Sequence, residues 1–170
     1  MGGTHVLKYN GGTFSVEIGP RREISTFRRP LSCMNGQQPW ALTLMPLPEG
    51  ADYDELLALS WQTDKFLQAG GSADAMTLEI RRPGGQEVGV ESIWGVVGHQ
   101  HDTKMRRDVA INVPSRPQMI TEAEVFAADE AAHLFYAYYT TGNIPREYAV
   151  RPIGGWTANG EWVDLGQATN

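Results

Sequence analysis

The residues best suited to chemistry are Gly98-His99-Gln100-His101-Asp102. On a strand, residues two apart project from one face about 6 to 7 Å apart. Two imidazoles at that spacing can reach one metal ion. Asp102 would then point the other way, so a third ligand would have to come from His5 or His133 through a fold contact. The run lies between the apolar Trp94–Val97 stretch and the charged Lys104–Arg107 stretch, and a solvated loop explains it with fewer assumptions. Cys33, the only cysteine, would need a nearby base and a depressed thiol pKa to act as a nucleophile. Its simpler reading is a small filler or a surface thiol. The carboxylate pairs Asp52/Asp54 and Asp129/Glu130 suit acid and base work, but each opens an expected helix, where exposed amides favour a carboxylate. Tyr136, Tyr138 and Tyr139 wrap the second expected helix more widely than one buried face requires. Tyr138 is expected in the core, with Tyr136 or Tyr139 partly exposed. No dinucleotide-binding glycine fingerprint, phosphate loop, HExxH zinc motif or GxSxG nucleophile elbow occurs. No catalytic residue, metal ligand or cofactor is assigned on these grounds.

The charge distribution says more about partners. The 170 residues carry a net charge of −6, which argues against a general basic field for nucleic acid. Residues 1–40 hold five basic and two acidic residues, net +3, so the remainder carries −9. Glu49, Asp52, Asp54, Glu55 and Asp64 form one acidic stretch without a basic residue, and Glu122, Glu124, Asp129 and Glu130 form another. Two acidic faces suit a basic partner; helix N-terminal carboxylates retained for solubility are the plainer alternative. A single cysteine excludes an internal disulfide and a cysteine zinc cage. Neither a membrane-length apolar run nor a secretory leader pattern is visible, so the expected location is cytoplasmic.

The elements that would position these groups follow from periodicity. Residues His5–Tyr9 and Phe14–Ile18 flank Asn10-Gly11-Gly12 and predict a hairpin. The breaker-rich stretch from Gly19 to Pro39 reads as a loop with room for one short strand, and Trp40–Met45 as a strand ended by Pro46 and Pro48. Asp52 followed by Glu55 and then Leu56, Leu59, Trp61, Phe66 and Leu67 predicts a helix over 52–69 stopped by Gly70-Gly71. Met76, Leu78 and Ile80 alternate, turn at Pro83-Gly84-Gly85 and return through Val88–Trp94. Val109, Ile111 and Val113 alternate again, and the run around Met119–Val125 is a further strand candidate with no partner assigned. A second helix is predicted over 127–141, capped by Gly142 and barred by Pro145, then a short strand at Tyr148–Val150 and a small hairpin carrying Trp156 and Trp162. The expectation is one α+β domain over 1–170, an antiparallel meander with two main helices.

With that order in view, the chain resembles the Imm1 family of bacterial immunity proteins. The resemblance runs over Ala41–Trp156 and includes the pattern Asp129-Glu130-Ala131-Ala132 … Phe135 … Tyr139-x-Thr141-Gly142-x-x-Pro145, in which only the Thr141-Gly142 to Pro145 segment is close. The family usually places a tryptophan soon after this proline, whereas here Ala149 and Val150 occupy that area and Trp156 comes later. The resemblance implies a non-catalytic protein that binds a cognate secreted toxin domain, often a nucleic-acid deaminase and otherwise a nuclease or NAD-consuming enzyme, and occludes its active site. It would need no direct nucleic-acid or membrane contact. Glu49, Asp52, Asp54, Asp129, Glu130 and Tyr136 are the expected contact set. Two other readings stay open: a small metal- or ligand-binding enzyme using His99 and His101, and a non-catalytic subunit of a larger assembly.

Overall fold

Asn10, Gly11 and Gly12 all take positive φ, at 51°, 71° and 107°, and so reverse the chain between β1 (His5–Tyr9) and β2 (Phe14–Ile18). In this computed structural model, which describes residues 2–102, 104–115 and 117–166, β1 also pairs with β3 (Ala41–Pro46). The rest of the sheet follows from β4 (Phe66–Ser72), β5 (Ala75–Pro83), β6 (Ser92–His99), β9 (Tyr148–Trp156) and β10 (Trp162–Asp164). The eight strands run in the order β10-β9-β6-β5-β4-β3-β1-β2, every pair antiparallel. A separate two-stranded ribbon joins β7 (Val109–Ile111) to β8 (Gln118–Ile120). The α+β meander expected from the sequence is therefore the architecture found.

Neighbouring strand residues feed opposite cores because side chains alternate across a sheet. Leu7, Leu44, Leu67, Leu78 and Ile80 face the helices α1 (Ser25–Ser32) and α3 (Ala128–Thr141), where they meet Phe27, Leu31, Phe135 and Tyr138. Val6 and Met45 turn the other way, onto Tyr53 of the short helix α2 (Tyr53–Ala58). Val96 also lies on this second face, against Ile111 and Ile120 of the ribbon. One face is thus sealed by two helices, and the other is covered only in parts, at one end by α2 and at the other by β7–β8.

Two expectations are corrected. The helix predicted over 52–69 is only Tyr53–Ala58; Asp52 does cap it, its Oδ1 accepting the Glu55 amide at 3.1 Å, but Ser60 turns to φ 56° and breaks the run. Phe66 and Leu67 open β4 instead, where Leu67 and Ala69 face the helices while Phe66 and Gln68 face away. Pairing with β3 and β5 supplies two ladders of backbone hydrogen bonds, which a local helical preference could not match. Gly71 is no helix stop: it sits in β4 at φ 125°, where a Cβ would lie 2.6 Å from the Ala75 carbonyl oxygen. The second correction is α1, which lies in the stretch read as a loop. Phe27 and Leu31, one turn apart, are fully buried against α3, and this packing holds a helix that Pro30, inside it, deprives of one backbone hydrogen bond. The α3 helix keeps its predicted place, ending at Gly142 in the left-handed region.

Candidate binding groove on the open face of the sheet

Between α2 and the β7–β8 ribbon a strip of sheet remains open. It forms two adjoining hollows of about 250 and 330 Å³ that share Gly11, Thr43, Gln68 and Trp94. Strand register builds the floor in two rows. Thr43, Gln68 and Glu79 stand opposite one another across β3, β4 and β5, and Phe66, Arg81 and Trp94 form the next row across β4, β5 and β6. Gln68 Nε2 and Trp94 Nε1 each donate to Glu79 Oε2 at 2.8 Å. The Arg81 guanidinium lies 3.7 Å over the Trp156 ring, while its Nε donates to Ser92 Oγ at 3.3 Å and its Nη1 to the Thr63 carbonyl at 3.2 Å.

All five tryptophans belong to this side of the molecule. Trp40, Trp61 and Trp94 line the hollows. Trp156 stacks on Trp94 at 5.6 Å, and Trp162 meets both edge-on. Gly154 permits that cluster, since a Cβ there would fall 2.0 Å from the Trp162 ring. The rim beside α2 is acidic, with Asp52, Asp54 and Glu55 exposed, and Leu57 is half-exposed at the mouth.

Electrostatics set Glu79 apart. It is only 6% exposed. Burial pushes its carboxyl above the ordinary range, against the pull of the Gln68 and Trp94 hydrogen bonds and the charge of Arg151. The fold therefore disfavours the charge it holds on this floor. Thr77, which lines the same hollow, has a buried hydroxyl oxygen with no hydrogen-bond partner. Polar groups left in that state are exceptional in folded chains and suggest a missing partner.

No family model, curated protein or solved structure matches this chain.

The six expected contact residues do not form one patch. Asp52 and Asp54 lie at the start of α2, on the groove side, and Glu49 just before it, in a separate hollow with Gly2–Thr4; all three are exposed. Asp129, Glu130 and Tyr136 belong to α3, which covers the opposite face. Asp129 pairs with Arg28 Nε of α1 at 2.9 Å, and Tyr136 is 38% exposed. Tyr138 is buried as expected, whereas Tyr139 donates to the Gly19 carbonyl at 2.6 Å and accepts the Arg22 amide, tying down the loop before α1. Glu130 is engaged internally: its Oε1 lies 2.5 Å from His99 Nε2 and accepts the Tyr148 hydroxyl at 3.1 Å.

His99 and His101 diverge. His99 ends β6, and its Nδ1 donates to the Ala123 carbonyl at 2.8 Å while Nε2 meets Glu130. Burial lowers its pKa, but the bonds to Glu130 and Ala123 and the Glu130 charge outweigh it, for a net rise. His101 follows in the loop, its Nδ1 2.7 Å from the His99 carbonyl, and borders a hollow of about 400 Å³ with Arg107 and Arg151. His99 does not line that hollow. Among the described residues no group of three His, Cys, Asp or Glu side chains is placed to hold a metal ion. Cys33 is exposed.

Sequence reasoning missed the groove. Glu79 sits in the alternating run Met76–Ile80, where period two marks it as a polar, outward residue. Only the sheet partners Gln68 and Trp94, distant in sequence, and the partial cover above turn it into a buried floor. The one available signal was compositional: five tryptophans in 170 residues exceed what the predicted core positions needed.

Proposed function

We propose that this chain is an immunity protein that binds a cognate secreted toxin domain and blocks its active site without chemistry of its own. The supporting observation is the groove: an aromatic-walled strip with a buried carboxylate on its floor and an acidic helix at its rim. Tryptophans in a desolvated hollow are the usual anchors of tight protein contacts. An enzyme acting on a polyanion such as nucleic acid or NAD needs basic residues in its cleft. A surface of net negative charge complements such a cleft and speeds encounter with it. The preferred partner is a nucleic-acid deaminase domain, with a nuclease or NAD-consuming enzyme next, met in the cytoplasm. The test is co-expression with toxic catalytic domains of these classes, nucleic-acid deaminases first. Restored growth, with association that slows as salt rises, is the expected result. Continued killing despite a folded, abundant chain would refute it.

A second reading draws on the 400 Å³ hollow beside His101: a small ligand-binding or catalytic site. It requires turnover or small-molecule binding by the purified chain that disappears on His101→Ala.

A further inference from the structure

The groove floor holds one carboxylate with no cation in contact; Arg151 acts on it only through its charge. Both hydrogen bonds to Glu79 arrive at Oε2; Oε1 accepts none from a described residue. The cations nearby are committed elsewhere. Arg81 donates to Ser92 and the Thr63 carbonyl and lies on Trp156, and Arg151 is held by both oxygens of Glu124. Lys8 borders the outer hollow, and no described ion pair joins it to Glu79. Around the carboxylate stand the Gln68 amide, the Thr43 hydroxyl and the buried, unpartnered Thr77 hydroxyl, with Trp40 and Trp94 as walls.

We propose that this floor receives an arginine side chain of the partner protein, its guanidinium paired with Glu79 and lying against the indole of Trp94. The inference rests on the reading of the chain as a binder of a basic toxin domain and names the contact that reading lacks. Three features favour a guanidinium over an ammonium. It is flat and fits a strip between aromatic walls; it is weakly hydrated and enters a nearly dry floor at lower cost; and its fork of donors can serve a carboxylate and a hydroxyl together. The Arg81–Trp156 pair, in the adjoining row, displays the same stacking geometry within the chain. A side chain seated this way would remove one arginine from a substrate-binding cleft and so inhibit by direct competition with the polyanion.

The experiment titrates the full chain with N-acetyl-arginine amide and, in parallel, with N-acetyl-citrulline amide, a neutral isostere, following tryptophan fluorescence and heat. The expected result is saturable binding of the arginine amide, on the order of millimolar for so small a probe, and at least 10-fold weaker binding of the citrulline compound. Glu79→Gln is expected to abolish the difference, and Trp94→Phe, which keeps the ring but not the indole, to weaken binding several-fold. Equal binding of the two probes, or unchanged discrimination in a folded Glu79→Gln chain, would overturn the pocket. The toxin arm separates this from the broader reading. If Glu79→Gln leaves toxin affinity unchanged while substitutions on the α2 rim weaken it, the arginine pocket fails and the immunity role stands. If the arginine amide is selected but no toxin domain is neutralised, the pocket stands and the immunity role fails.

Discussion

Glu124 and Glu79 are both nearly without solvent contact, at 0% and 6% exposure, yet the fold handles them in opposite ways. Glu124 is gripped by Arg151, Nε to Oε2 at 2.8 Å and Nη2 to Oε1 at 3.1 Å, and its other neighbour is the Thr121 amide at 2.8 Å. Burial acts to raise its pKa, but these bonds and the guanidinium charge overcome it and the carboxyl ends below its ordinary value. Glu79 has only neutral donors in contact, and burial prevails. A carboxylate with its own cation belongs to the architecture, whereas one kept in a groove without a cation is costly to the fold and suggests a role in binding.

That contrast breaks most visibly by removing the cation. Arg151→Met strands Glu124 without a counter-charge and is expected to destabilise the fold by on the order of 3 kcal/mol in denaturant unfolding. Glu79→Gln removes no ion pair and relieves an unfavourable burial, so its stability at neutral pH is expected within about 1 kcal/mol of the parent, on either side. A loss at Glu79→Gln as large as at Arg151→Met would erase the distinction between the two sites. Acid sharpens it. Glu124, with its pKa depressed, contributes stability above its ordinary 4.5 that is lost as pH falls through the folded value; Glu79, with its pKa raised, opposes that loss. The stability difference between the Glu79→Gln chain and the parent should therefore be largest at neutral pH and shrink as pH falls and the parent's Glu79 takes up its proton.

On the helix-covered face, effects are smaller. The His99 pKa is raised by Glu130 and Ala123, so this pair contributes fully below the ordinary 6.5 and fades as pH climbs through the folded value. Because both partners are more than a third exposed, the expected contribution is under about 1 kcal/mol, read as a shallow decline of Tm on the alkaline side that His99→Gln removes. Smallest of all is Asp129→Asn, which breaks a surface pair with Arg28 and should change stability by about 0.5 kcal/mol or less.

How much of this was legible in the chain follows from the range of the interactions. The first hairpin and α3 rest on local signals, Asn10-Gly11 and Gly142 before Pro145, and both stand where the sequence puts them. The stretch 59–69 misled because Leu56, Leu59, Phe66 and Leu67 fit a helical spacing, while the decisive partners of β4 lie in β3 and β5. Asp52 was correctly legible as a cap, since capping is a contact three residues long. The groove was illegible for the opposite reason: the row Thr43, Gln68, Glu79 spans three strands, and no single segment shows that these polar positions meet. The acidic stretches could be counted in the sequence, but only the sheet places Glu49, Asp52 and Asp54 on one side and Asp129 and Glu130 on the other.

The most direct measurement is the affinity for a toxin domain that the chain neutralises in co-expression, compared between Trp94→Ala with Asp54→Asn on the groove side and Asp129→Asn with Tyr136→Ala on the helix side. The groove-side pair should weaken binding by at least 10-fold and abolish protection in cells, with the helix-side pair within about 2-fold of the parent. Loss of affinity confined to the helix-side pair, or no complex with the toxin domain at all, would contradict the account.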